Sequence, residues 1–527
     1  SLTRAMGDVS FDHQGRRIQG MRMQNTGDVY AVNGWEAMPY DNHSGIVDIY
    51  RNCKGNPSTF TYYTQPLYVA VSPRTQFVHL PGKVPVDFYI VNEKNLSGKY
   101  RLSVFVCTPD GKEGKHIEKE VHITGGDCFG QLLLEHCQLE IEGVSGLYQV
   151  KAQLRNASGH LCAEGKDEVL GIYWDKKQLK GKGALYGTPD DPVATFYQKA
   201  TGCELPAFHS DIEKLDWIVV TRSSLDAPQP VPVEAFCQKE GKSVLELSLY
   251  KDDDLRTLAG VTQDNKIDRT FADGAQPDPL LPANQSFSAI WDGKLKAPQS
   301  GTYMIGVTSD QGMRLSVNGQ RIVDEWRNNK ELTVVRPFLL KAGDEVAVRV
   351  EYSQRNPTGS VQLVWSLPDH AAIAPQELLD RVKEDGTSLL LLKSAESWMD
   401  AVSAYTGSAY HGYYSVGKNW VGGVHFVKEH PLFNGLPVNV AMGWPYQALV
   451  RNGDRRLGLH IDNEELVAGS YGSAPFNLGS AVGIISCGKG KIYYSTLDLV
   501  DNLNNPAAAA DVARKLFCNF ILLSKDR

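Results

Sequence analysis

Four stretches of the chain carry residue types able to do chemistry. The first is YAVNGWEAMPYDNHSG, Tyr30 to Gly45, which sets Asn33, Trp35 and Glu36 at the end of an apolar run and follows them with a polar loop. A Trp ring at a strand end offers a flat apolar face to a sugar, and Asn33 offers hydrogen bonds to hydroxyls. Strand alternation aims Glu36 away from Trp35. Retaining cleavage of a glycosidic bond needs two carboxyl groups about 5–5.5 Å apart. This edge supplies only Glu36, with Asp41 and Asp48 nearby. Trp35 and Asn33 are therefore read as substrate contacts, and no catalytic residue is expected in the chain.

The second stretch is Ser309-Asp310-Gln311-Gly312, with one carboxylate and one amide side by side. The third is a set of histidines, His411, His425, His430 and His460, with no H-x3-H or HExxH spacing. Such residues are expected on surfaces and loops rather than around a metal. The fourth is GDCFG, Gly126 to Gly130, a G-x-C-x-G match. It falls between the strand-like EVHIT and QLLLEH and lacks the strand-to-helix frame of a nucleophile elbow. Cys203, Cys237, Cys487 and Cys518 have no glycine frame at all.

The elements that hold these residues follow from pattern. With 527 residues the chain exceeds one core, so about three to five domains are expected. The formal charge of -7 is spread without basic clusters, which argues against a nucleic-acid partner. No apolar run is long enough to cross a bilayer. Nine cysteines are too sparse for a disulfide scaffold. Residues 1–62 are rich in Gly and polar side chains, with one strand, DVYAVNGW. Residues 63–175 alternate with period two: Val84, Val86, Phe88 and Ile90 share one face, as do Tyr148, Val150, Ala152 and Leu154. That alternation predicts an immunoglobulin-like β-sandwich. Residues 180–258 and 370–527 alternate strands with helices. DPVATFYQKATG (with Pro192 early and Gly202 at its end), PVEAFCQKEG and APQELLDRVKEDG are read as helices; LDWIVVT, KSVLELSLY and TSLLLLK are read as strands. Residues 260–369 are strands and turns, a β-domain inserted into the α/β domain. The fold class is therefore multidomain and mainly β with one α/β domain.

Three resemblances add to this. FSAIWDGKLKAPQSGTYMIGVTSDQGMRLSVNGQRIVDEW, Phe287 to Trp326, with the closing VQLVWSLP, resembles the PA-fourteen domain, the anthrax protective-antigen-type β-sandwich. Where that family usually has Ser-Asp-Asp-Gly, this chain has Gln311 in place of the second Asp. In sugar-binding relatives the paired Asp residues hold calcium, so Asp310 is left as the one metal carboxylate of a weakened site. No cofactor is expected to be required. NGWEAMPYDNHSGIVDIYRNCKGNPSTFTYYTQPLYVAVSPR resembles the end of the barrel and the start of the following sandwich in β-galactosidase-like enzymes of glycoside hydrolase family two. GIVDIYR then corresponds to an exit helix, and both catalytic Glu residues lie before residue 1. EHPLFNGLP and GKGKIYYSTLDL resemble glutamine-amidotransferase-like domains, here degenerate.

Together the resemblances imply the C-terminal accessory region of a β-glycosidase, inactive alone. Its implied partners are the N-terminal catalytic half, an oligosaccharide or polysaccharide, and a second copy in a homodimer. A periplasmic or extracellular setting suits that parent enzyme. The alternative is a stand-alone carbohydrate-binding or adhesion protein.

Overall fold

The computed structural model describes the chain outside residues 1, 26–44, 49, 180, 188–189, 210–211, 225–230, 235, 240–241, 244, 299, 367–374, 417–423, 451–455, 473–476 and 526–527. Two compact units emerge, Ser1–Ser223 with Gln376–Arg527, and Ser224–Pro375.

The first unit opens with a helix, Leu2–Met23, in a stretch where the sequence pattern predicts none. Gly7, Gly15 and Gly20 lie within it, each unfavourable in a helix interior. Two of them permit close approach. A Cβ on Gly7 would sit 2.1 Å from the Lys54 carbonyl oxygen, and one on Gly15 would sit 2.0 Å from the Tyr63 ring. Arginines anchor the same helix. Arg16 pairs with Asp167 of the sandwich at 2.7 Å, and Arg22 donates to the Tyr63 and Gln65 carbonyls and pairs with Glu93.

The expected exit helix at GIVDIYR is corrected. The Asp48 carboxylate accepts the Tyr50 and Asn52 N–H groups, and Arg51 has φ 69°, so the backbone turns instead of winding. A helix forms later, at Pro57–Tyr63, where Asn56 caps it and Pro57 opens it.

The sandwich pairs a three-stranded sheet, in which Gly82–Asn92 lies between Leu67–Pro73 and Gly130–Ile141, with a five-stranded one. Val84, Val86, Phe88, Ile90, Val150, Ala152 and Leu154 are all fully buried between them. Period-two alternation thus built this core. In the α/β part, Gly183–Tyr186, Trp217–Val220, Ser388–Leu391 and Gly490–Ser495 pair in parallel within a ten-stranded sheet whose other members pair antiparallel. The helix Pro192–Thr201 has Asp191 as its cap and Gly202 left-handed at its end, and Asp511–Leu523 buries Leu516, Phe517 and Phe520. Asp511 ties the sandwich to this part: it accepts from Trp174 Nε1 at 3.0 Å and from Arg514 at 2.6 Å, and lies 3.1 Å from His79 Nδ1.

The second unit is a two-sheet sandwich with its own apolar core, including Trp291, Tyr303, Leu315 and Tyr352. The strand read as KSVLELSLY belongs here. Leu245–Tyr250 pairs antiparallel with Leu258–Asp264 and with Phe287–Lys296, which places the start of this unit well before the expected residue 260. PVEAFCQKEG is not a helix. Val231–Pro232 pairs with Trp365 and Val364, and Phe236, 5% exposed, joins the core through a bridge to Leu295. Apolar burial against the sandwich overrides the local helical reading.

Candidate functional site

At one end of the second unit the chain crosses from one sheet to the other. Gly301–Ser309 belongs to the five-stranded sheet and Gly312–Val317 to the six-stranded one, so Asp310 and Gln311 form the link. Gln311 is 3% exposed. Its Nε2 donates to the Thr358 carbonyl at 3.1 Å, while its Oε1 accepts from the Arg355 and Asn356 N–H groups at 3.2 and 3.4 Å. The amide therefore satisfies both sides of the loop 355–358, which a carboxylate could not do because it has no donor. Asp310 Oδ1 accepts from Ser360 N at 2.7 Å, and Asn328 Nδ2 donates to the Ser309, Gln311 and Lys330 carbonyls.

Neighbouring loops complete this end. Arg355 pairs with Asp253 at 2.9 Å and donates to the Trp326 carbonyl. The Trp326 ring lies under the Arg314 guanidinium at 4.3 Å, and its Nε1 donates to Asp254 at 3.2 Å. In the adjoining turn, desolvation opposes the Asp252 charge. The Asp254, Arg256 and Thr257 N–H groups nevertheless hold its carboxyl down to about 2.

Calcium takes six to eight oxygen ligands, several of them charged. Here the Gln311 oxygen already accepts two N–H groups and Asp310 Oδ1 a third. Among the described residues Asp310 joins no group of three or more His, Cys, Asp or Glu side chains placed to share an ion. The donor set at Asp310 and Gln311 does not fit a calcium ion.

Residues 241–378 match the family model of the PA14 domain. The second unit is a PA14 domain. A relative, the anti-sigma-I factor RsgI3 of Acetivibrio thermocellus, is 29% identical over 117 residues, which is 22% of this chain and 18% of that protein. The chain thus spans under a fifth of that relative's length. Among solved structures, the β-glucosidase of Kluyveromyces marxianus in complex with glucose is similar at 16% identity, with 42% of this chain and 29% of that one covered and a TM-score of 0.22. The PA14 sugar-binding domain from an RTX adhesin is similar at 19% identity, with 23% and 87% covered and a TM-score of 0.19.

Apart from Cys237, the other sequence candidates lie outside the second unit. Asn33, Trp35, Glu36 and Asp41 fall outside the described residues. GDCFG sits in the turn between Ile117–Ile123 and Gly130–Ile141, where no helix follows the Cys. Cys518 lies inside the last helix, and burial pushes its thiol up to about 12, the opposite of what a nucleophile needs. The four histidines separate into different roles. His425 is 3% exposed, and His430 caps the 3-10 turn Pro431–Phe433 by accepting the Leu432 N–H at 3.1 Å. His411 and His460 come together, with ring centroids 4.6 Å apart and Asp462 beside them. Sequence spacing gave no sign of that pairing, because strand register creates it. No helix among the described residues is long and apolar enough to cross a membrane.

Proposed function

We propose that this chain is the accessory region of a β-galactosidase-like glycosidase, in which the PA14 domain contacts glycans without calcium. The observation that carries this reading is the PA14 match over residues 241–378. The solved PA14 domain of the RTX adhesin is described as sugar-binding. The loop end around Asp310 and Arg355 offers charged groups of the kind that hold sugar hydroxyls, with the buried Trp326 ring supporting it from beneath. Gln311 takes over by hydrogen bonding the ordering of that end that a bound cation gives in calcium-dependent relatives. Trp35 and Asn33 are assigned to the rim of a sugar subsite whose catalytic carboxylates are supplied by an N-terminal half of the enzyme. The experiment compares hydrolysis of aryl β-galactosides by the chain alone and by the chain joined to that half. Turnover is expected only in the joined protein, with kcat/KM lowered at least about tenfold by Trp35→Ala. Turnover by the chain alone would contradict the reading.

A further inference from the structure

The α/β part holds a cluster that the carbohydrate reading does not use. The strands Tyr410–Val416 and Arg456–Ile461 pair antiparallel, with Tyr410 opposite Ile461 and Tyr413 opposite Leu459. Two residues, His411 and Gly412, therefore face one residue, His460. This is a β-bulge, and Gly412 with φ 95° supplies its left-handed position. Bulges re-aim side chains, and this one sets the His411 ring against the His460 ring.

Strand alternation brings in the third group. Ile461 is 2% exposed, so His460 and Asp462, on either side of it, share the opposite face. The Asp462 N–H bonds to the Ala409 carbonyl, which carries the pairing one residue further and fixes Asp462 at the start of the turn. His411 Nε2 lies 2.9 Å from Asp462 Oδ1. One ligand atom from each of the three residues lies within 4.8 Å of the others. Tetrahedral zinc bonds of about 2.0–2.2 Å put neighbouring donors about 3.3 Å apart, so small side-chain rotations suffice to close this set on an ion.

The surroundings favour a site. The turn that carries Asp462 is held by Glu464, which accepts hydrogen bonds from Ser480 Oγ at 2.7 Å and from the Tyr494 hydroxyl. An open cleft of about 310 Å³ lies alongside, lined by His460, Asp462, Asn463, Glu464 and Leu478.

We propose that His411, His460 and Asp462 bind one divalent transition metal of the zinc, cobalt or nickel kind, with the remaining coordination position facing this cleft. Two imidazoles and one carboxylate suit those ions and not the hard, oxygen-seeking magnesium or calcium.

The test uses the full chain, freed of any affinity tag and stripped with chelator. Zinc is titrated by calorimetry, and cobalt by its visible d–d absorption. The expected result is one saturable site per chain and a melting temperature raised by zinc but not by magnesium. His411→Ala, His460→Ala and Asp462→Asn should each weaken zinc binding at least tenfold, while His209→Ala leaves it unchanged. All three side chains stand on a polar face, so the metal-free melting temperatures of these variants should match the parent. Absence of saturable binding would overturn the proposal. So would binding that survives all three substitutions.

Discussion

Single side chains hold several loops of this protein in place. Gln311 holds its loop by hydrogen bonding in both directions, donating to the Thr358 carbonyl and accepting the Arg355 and Asn356 N–H groups. His430 makes another turn sensitive to protonation. Desolvation lowers its pKa below the ordinary 6.5, and its Nδ1 must be unprotonated to accept the Leu432 N–H. A depressed folded-state pKa means that its contribution is complete above pH 6.5 and is lost as pH falls from there through the folded value. Between about pH 8 and pH 5 the parent should therefore lose about 1 kcal/mol that His430→Asn, which keeps a capping oxygen, does not lose. Melting curves of the two proteins at both pH values measure this. Parallel pH profiles would show that the cap does not titrate.

Among the elements, the opening helix shows how packing overrules propensity. Replacing Gly15 by Ala gains about 1 kcal/mol of intrinsic helix preference. The added Cβ, however, would stand 2.0 Å from the ring of Tyr63, which is 6% exposed. Overpacking of this kind costs about 1–3 kcal/mol, so Gly15→Ala should lower stability by up to about 2 kcal/mol net in denaturant unfolding. A stabilised variant would mean that the helix does not pack on Tyr63. The same contrast explains what could be read from sequence. Val84, Val86, Phe88 and Ile90 were legible because burial on one sheet face imposes period two, and Asp191, Pro192 and Gly202 marked a helix by local chemistry alone. The helix Leu2–Met23 was not legible, because its buried face carries only Met6, Phe11 and Ile18 among its large apolar side chains and is completed by Gly7, Gly15, Gln19 and Arg22, which do not mark an apolar stripe in the sequence. The strand Leu245–Tyr250 was legible as a strand but not in its place, since only its partners assign it to the PA14 domain. The change at Gln311 could be read from the chain, whereas the bulge that unites His411 with His460 is set by register.

At the scale of the molecule, two compact units divide the work that the proposed function requires. One joins an immunoglobulin-like sandwich to an α/β part through Asp511 and its partners; the other is a PA14 domain whose outer loops are organised by Gln311, Asn328 and Arg355. The role proposed for this domain is glycan contact without a calcium ion. Affinity of the full chain for an immobilised panel of galactose-containing oligosaccharides, measured once with calcium and once with excess chelator, tests it most directly. Saturable binding is expected, with Kd values that agree within about twofold between the two conditions, a difference of about 0.4 kcal/mol. Binding abolished by chelator, or no binding to any glycan of the panel, would contradict it.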